Sequence, residues 1–265
     1  MATAAMGCTS PAPSDPADAK VDANTKTCTV LFGQPNDKTG LTADQCQPHC
    51  DCVDLAFAPP TYTDADAEAL LAWTLDTPYP PVAEDPYAHP EQHVPDHGKI
   101  CAVLANPGST KTYRLQTFAS RAEAEAAGGR VTHGDACGVC SPLHDLAVYM
   151  RQRDLTDPVR QCALQPDQTG AMACLQKLGF DLPCAQIWYF NSQHTRKKCL
   201  ATCLALLKAP YHNPDGTLND CLLCDEKESG DVFKAVAGRT RRNTGLPSSM
   251  CRPCGEVVPV VHQYP

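Results

Sequence analysis

The stretch from Val131 to Met150, VTHGDACGVCSPLHDLAVYM, marks the point where the chain changes from strands to helices. Residues 130–133 read as a short strand. Ser141 is a good N-cap residue and Pro142 suits the first helical position, so we predict a helix from Pro142 to about Arg153. Before this stretch the sequence predicts a few short strands, and after it mainly helices. The predicted fold class is therefore α+β, helix-rich after residue 140, with few short strands and stabilised by disulfides.

Cys137 and Cys140 could be reactive thiols, metal ligands or halves of two disulfides. The free N–H groups and the dipole at a helix start stabilise a thiolate, and the order strand, CxxC, helix is similar to a thioredoxin-like motif. However, the chain has 17 cysteines, and the 16 that follow Cys8 could form eight disulfides in an oxidising compartment. We therefore predict that both are structural and have different partners, because a disulfide within a CxxC pair is usually labile and catalytic.

The same residues resemble the nucleophile segment of papain-like peptidases over about ten positions. The resemblance implies that Cys137 is disulfide-bonded and that Cys140 attacks the substrate. The sequence departs from that pattern at Gly134, where a Gln is expected, and after His262, which only three residues follow, so that no Asn can come later. If the chain is instead a thiol-dependent enzyme of another kind, Cys140 would act with His194, oriented by Asn191. Whether it is an enzyme stays open at this point.

The remaining sequence predicts a flexible N-terminal tether over residues 1–27 and a single cysteine-rich α+β domain over residues 28–265. The tether is rich in Pro, Ser, Asp and Ala and has almost no large apolar residues, so it cannot offset its ordering entropy. Strands are predicted at 27–32, 100–104 and 111–118. Helices are predicted at 64–75, 121–127, about 157–165, 169–178, 183–208 and about 231–237, with a possible short helix after Thr42.

Charge and hydropathy narrow the possible partners. The net charge of −8 argues against a general nucleic-acid binder, and no apolar run is long enough for a transmembrane span. Residues 1–100 carry 4 Lys, no Arg and 15 acidic residues, whereas residues 101–265 carry 18 basic and 15 acidic residues. The second part is therefore the better place for an anionic ligand.

The N-terminus suggests where the protein is found. The residues Ala5-Met-Gly-Cys8 are similar to the end of a bacterial lipoprotein signal, which implies a lipid anchor at Cys8. The departure is Ala5, where Leu is usual, and an ordinary disordered N-terminus is the alternative. Together with the cysteine content, this predicts an extracytoplasmic protein that is secreted or tethered to a membrane as a lipoprotein.

Two groups in the second part predict a pocket for a small polar or anionic ligand. On the long helix, Ile187, Asn191 and His194 share one face by their spacing, and a polar pair on an inward face needs partners or a role. Arg239, Arg241 and Arg242 form a cluster that could clamp a carboxylate or phosphate. The alternative for the arginines is a solvated basic loop. The sequence identifies no cofactor.

A metal-binding function is a further alternative, through either of two motifs. His89, His93 and His97 recur at four-residue spacing in a Pro-rich loop that could fold three imidazoles around Zn²⁺ or Cu²⁺. In addition, two C-terminal CxxC pairs, Cys221 with Cys224 and Cys251 with Cys254, have a spacing that a zinc site tolerates. Disulfides are the simpler account of these four cysteines.

Overall fold

The computed structural model describes residues 30–52, 55–108 and 111–264, and over these ranges the fold is α+β, as predicted. The helices of the described residues are α1 (Asp64–Leu71), α2 (Arg121–Ala126), α3 (Leu143–Arg151), α4 (Thr156–Ala163), α5 (Gln168–Lys177), α6 (Leu182–Ala205), α7 (Asp220–Ala237) and α8 (Arg241–Thr244). The predicted tether lies outside the described residues, and the division of the chain into a tether and one domain stays a prediction. Among the described residues, no helix is long and apolar enough to cross a membrane.

The strands form three small sheets. They are β1 (Leu31–Phe32), β2 (Cys46–Gln47), β3 (Cys50–Cys52), β4 (Leu55–Phe57), β5 (Thr74–Leu75), β6 (Ile100–Ala105), β7 (Thr112–Phe118), β8 (Arg130–Gly134) and β9 (Arg252–Pro253). The largest sheet has the order β5-β7-β6-β8, with β6 antiparallel to β7 and to β8, and a register shift between Cys101 and Ala102. The order β2-β1-β9 joins the start of the described chain to its end, because β1 pairs with β9.

Helix α3 lies in the middle of the main core. Leu143, Leu146, Ala147 and Tyr149 are almost completely buried, and because buried positions occur all round α3, the helix is a central core element and not a surface helix with one apolar face. Around them pack buried residues of β6, β7, α1, α4, α5, α6 and α7 in one cluster. Helix α6 packs along α7, and α1 packs on α3. This arrangement puts the strands on one side of α3 and the long helices on the other.

Disulfides connect nearly every part of the described chain, as predicted. Seven join two described cysteines: Cys46–Cys251, Cys50–Cys254, Cys101–Cys137, Cys140–Cys184, Cys162–Cys174, Cys199–Cys224 and Cys203–Cys221. Cys52 is disulfide-bonded as well. The two bonds with the largest sequence separation, 205 and 204 residues, attach the small N-terminal sheets to the C-terminal segment. The bonds within the helical part hold α6 against α7 at two places.

Several predicted boundaries are wrong, for reasons of capping. Helix α7 begins at Asp220 rather than near 231, because the Asn219 side chain accepts a hydrogen bond from the Leu222 N–H and caps it. The predicted cap Ser141 is used elsewhere: its hydroxyl accepts from the Gly138 N–H and lies 2.6 Å from Nε2 of buried His133. The N–H of Leu143 donates instead to the Tyr113 hydroxyl. After Thr42 there is a turn and no helix.

Candidate functional site

The CxxC segment is held by backbone contacts with the end of α7. The N–H of Val139 donates to the Val236 carbonyl and the N–H of Cys140 donates to the Ala237 carbonyl, both at 2.9 Å. The N–H of Cys140 is therefore used by a carbonyl and not by a thiolate. Cys137 is bonded to Cys101, across to β6, while Cys140 is bonded to Cys184 in α6. The prediction of structural cysteines with different partners is confirmed.

This arrangement corrects the thiol-enzyme alternative. Cys140 is completely buried and its sulfur is in a disulfide, so this structure offers no thiolate there for attack on a substrate. The predicted catalytic partners lie elsewhere. Asn191 accepts a hydrogen bond from the Tyr87 hydroxyl at 2.7 Å, and His194 stacks on the Tyr87 ring with its Nδ1 3.1 Å from the Ser229 hydroxyl. Burial, and after it the charge of Lys198, lower the pKa of His194.

In the structure, cysteines and histidines of both predicted metal motifs have other partners. Cys221, Cys224, Cys251 and Cys254 belong to four different disulfides, so they cannot share a zinc ion as thiolates. The three loop histidines are not brought together: His89 pairs with Glu91 at 3.5 Å and His97 with Asp135 at 3.2 Å, while His93 ends a short 3₁₀ turn. Because His89 and His97 pair with different acidic residues, the three imidazoles do not meet at one point.

A different group of three residues has ligand atoms that all lie within 4.8 Å of one another, and it is the only such group in the described ranges. It consists of His144, Asp145 and Asp181, at the start of α3 and the start of α6. Oδ1 of Asp145 accepts from the Asp181 N–H, while its Oδ2 is buried without a hydrogen-bond partner among the described residues. Burial, followed by the charge of Asp181, raises the pKa of Asp145 well above its ordinary value.

A cavity lies between α4, α6 and α7, and residues of α8 together with Ser248, Met250 and Arg252 also line it. Its volume is about 560 Å³, within the range of small-molecule pockets. Apolar side chains dominate its wall, with Val159 from α4, Trp188 from α6 and Phe233 from α7. The disulfide Cys203–Cys221 also lies in the wall and holds α6 to α7 beside the cavity. The cavity thus depends on helix packing that two disulfides lock.

The charged groups of the wall are mainly basic. They include seven basic side chains, Arg153, Arg160, Arg196, Lys234, Arg241, Arg242 and Arg252, and three acidic ones, Asp154, Asp225 and Glu226. Glu226 pairs with both Arg252 and Arg242, and these charges lower its pKa although burial acts in the opposite direction. Asp225 accepts a hydrogen bond from the Thr195 hydroxyl. Burial raises the pKa of Asp225 despite this hydrogen bond. The excess of positive charge therefore remains around the cavity.

Arg241 differs from the other arginines of the wall because one of its guanidinium nitrogens is buried without a hydrogen-bond partner among the described residues. Its guanidinium carbon lies 5.6 Å from the centre of the Tyr149 ring, and Nη2 is buried with no hydrogen-bond partner among the described residues. Burial lowers the pKa of Arg241 to about 10, so the group is still a cation at neutral pH. A buried guanidinium nitrogen without an acceptor is costly, and Arg241 is one of the residues that line the cavity.

The two other arginines of the predicted cluster have different surroundings. Arg242 lines the cavity but is paired, with Nη2 3.2 Å from Glu226 and Nε 3.1 Å from Glu256. Arg239 is completely buried away from the cavity and donates to the carbonyls of Thr132, Cys140 and Ser141. In the structure Arg239 binds backbone oxygens of the core and does not line the cavity. The cavity brings together Asn191, Arg241 and Arg242, but neither His194 nor Arg239.

The sequence analysis missed most of the cavity wall, although one signal was present. Ser192, Arg196, Leu200 and Leu204 follow one another at four-residue intervals, which places them on a single face of α6. Leu200 and Leu204 are exposed on this face, and neighbouring exposed apolar side chains can mark a ligand or partner site. The opposite face carries Ile187, which is completely buried.

Comparison with known proteins gives one match. Residues 168–260 match the model of a family of unknown function, DUF8771. The match covers about a third of the chain, from α5 to the C-terminal segment, and includes α6, α7 and α8 of the cavity. No curated protein and no solved structure matches the chain.

Proposed function

We propose that the protein is an extracytoplasmic binding protein, secreted or tethered through a lipid at Cys8, that binds a small anionic ligand in the cavity between α4, α6 and α7. The many disulfides fit an extracellular protein. Anchorage at Cys8 comes from the sequence alone, since Cys8 lies outside the described residues.

The observation that carries the proposal is the unpartnered guanidinium of Arg241 in the cavity wall. A guanidinium presents several N–H donors in one plane, which matches a carboxylate or phosphate group. The surplus of basic residues around the same space favours an anion over a cation or a neutral ligand.

Direct binding measurements with defined anions test this proposal. Acetate, succinate and inorganic phosphate are titrated into the oxidised protein at low ionic strength and followed by calorimetry and by the chemical shifts of the cavity residues. We expect at least one of them to bind and Arg241→Met to weaken its binding about tenfold or more, the typical loss for a charged hydrogen bond.

The matched control is Arg114→Met, which removes the same charge from an exposed position on β7. It should leave the affinity within about twofold, since exposed charges are screened by solvent. If none of the anions binds, or if both variants behave alike, the proposed function is wrong.

A further inference from the structure

The cavity has an apolar character that a small inorganic anion does not explain. Four leucines at its rim, Leu164, Leu200, Leu204 and Leu207, are among the eight large hydrophobic side chains that the described residues leave exposed. Leu164 and Leu207 are 76% and 63% exposed. Single exposed leucines are ordinary, but half of them at the rim of one cavity form a patch, and such patches mark apolar ligand or partner sites.

The apolar and the cationic lining residues come from different segments of the chain. Arg241 belongs to α8 and lies over the Tyr149 ring, whereas Leu200 and Leu204 lie in the last two turns of α6 and Leu207 just after its end. Leu222 of α7 and the disulfide Cys203–Cys221 line the same cavity. A ligand that satisfies both groups of residues needs a charged head and an elongated apolar tail.

We propose that the cavity binds a single-chain amphiphilic anion, with the head at Arg241 and the hydrocarbon tail along Leu200, Leu204 and Leu207. This inference rests on the proposed function and adds the class of ligand. Transfer of the tail from water to the leucine wall supplies the free energy, because each buried methylene group is favourable by a constant increment. The guanidinium supplies orientation and selects a carboxylate or phosphate head.

The source of such an anion is either a free amphiphile or a lipid extracted from a bilayer. The chemistry that recognises the two is the same, so the test uses both forms. The first arm titrates linear alkanoates from two to twelve carbons as monomers, below their micelle-forming concentrations. The second arm presents vesicles of phosphatidylglycerol in phosphatidylcholine to the protein without its lipid anchor and measures co-sedimentation and lipid extraction.

We expect the affinity for monomeric alkanoates to rise about threefold for each added methylene group until the tail fills the cavity. Alkanols should bind about tenfold or more weakly than alkanoates of equal length, because they have no carboxylate to pair with the Arg241 guanidinium. Leu204→Asn should flatten the dependence of the affinity on chain length. The matched control is Leu223→Asn on α7, since Leu223 is 54% exposed and Leu204 56%, but Leu223 does not line the cavity.

The outcomes separate the two proposals. If short anions bind through Arg241 with no gain from chain length, the amphiphile inference is overturned and the proposed function stands. If alkanols bind as tightly as alkanoates and Arg241→Met has no effect, the site is apolar and both proposals are wrong. If the protein binds intact vesicles but neither extracts lipid nor binds any monomer, the leucines dock on membranes and the cavity assignment is overturned. Extraction together with monomer binding supports the inference and identifies lipid as a source.

Discussion

Gly138 packs directly against Gly238, so closely that a Cβ atom on Gly138 would lie 2.6 Å from the Gly238 nitrogen. The first glycine is the second residue of the CxxC segment, and the second ends α7 with φ of 72°. The contact allows the neighbouring residues Val139 and Cys140 to donate their N–H groups to the last carbonyls of α7. The glycine in Cys-Gly-Val-Cys is therefore required by packing between two backbones.

Gly138→Ala should destabilise the protein by about 1–3 kcal/mol. The obstacle is backbone of Val236, Ala237 and Gly238, which cannot rotate away as the end of a side chain can. Denaturant unfolding of the oxidised protein measures the effect. Gly255→Ala is the control, because a Cβ there would meet no atom within 4 Å, and it should change the free energy of unfolding by less than about 0.5 kcal/mol. Equal effects for the two variants would show that the glycine contact is not needed.

Arg239→Lys should lower the free energy of unfolding by about 3 kcal/mol or more. The guanidinium reaches three carbonyls at once from a completely buried position. An ammonium cannot span them all, and buried acceptors without a donor are costly. The same substitution at Arg130, which is exposed on β8, should have almost no effect. Ligand affinity provides the second measurement: it should not change in the folded Arg239→Lys protein, because Arg239 does not line the cavity.

The disulfide Cys140–Cys184 should contribute more to stability than Cys162–Cys174. In the chain-entropy account, its 44-residue separation corresponds to about 4 kcal/mol and the 12-residue separation to about 3 kcal/mol. We compare the double variant Cys140→Ala with Cys184→Ala with the double variant Cys162→Ala with Cys174→Ala. The first should unfold at the lower denaturant concentration. The opposite order would mean that native packing, and not loop length, decides what each bond contributes.

Stability should fall as the pH falls below about 6.5, in part through His262. Nε2 of His262 donates to the Thr244 carbonyl at 2.9 Å, and burial, with a smaller contribution from the charge of Arg239, lowers its pKa to about 3. The unfolded chain binds a proton near pH 6.5 and the folded chain does not. This one group therefore lowers the free energy of unfolding by about 1.4 kcal/mol per pH unit as the pH falls from 6.5 toward 3.

Unfolding of the wild type and of His262→Gln at several pH values checks this prediction. The variant should be less stable at pH 8 and should lose less of its stability on acidification. The stability of the variant should still change with pH, because burial and then the charge of Arg239 also lower the pKa of buried His133. Tyr264→Phe is the control, since it removes the hydroxyl 3.0 Å from Nδ1 but keeps the imidazole. Equal pH slopes for His262→Gln and the wild type would contradict the assignment.

The α+β class, the disulfide state of the cysteines and the order of strands and helices could be predicted from the sequence. Cysteine content depends on the redox compartment, and helices α5 and α6 follow caps and turns that are local in the chain. The different partners of Cys137 and Cys140 also followed, because a bond within the pair is chemically unusual in a structural role. These properties depend on residues that are close to one another in the sequence.

The tertiary structure decided which cysteines pair, where Arg239 lies and what forms the cavity. Arg239 and Arg241 are two positions apart and equally basic, yet one binds core carbonyls and the other lines the cavity without a hydrogen bond to Nη2. The extended start of α7 depends on the cap by Asn219 together with two disulfides to α6. The cysteine pairing, the position of Arg239 and the cavity all depend on contacts between residues tens of positions apart. The free energies of these contacts cannot be read from the local sequence.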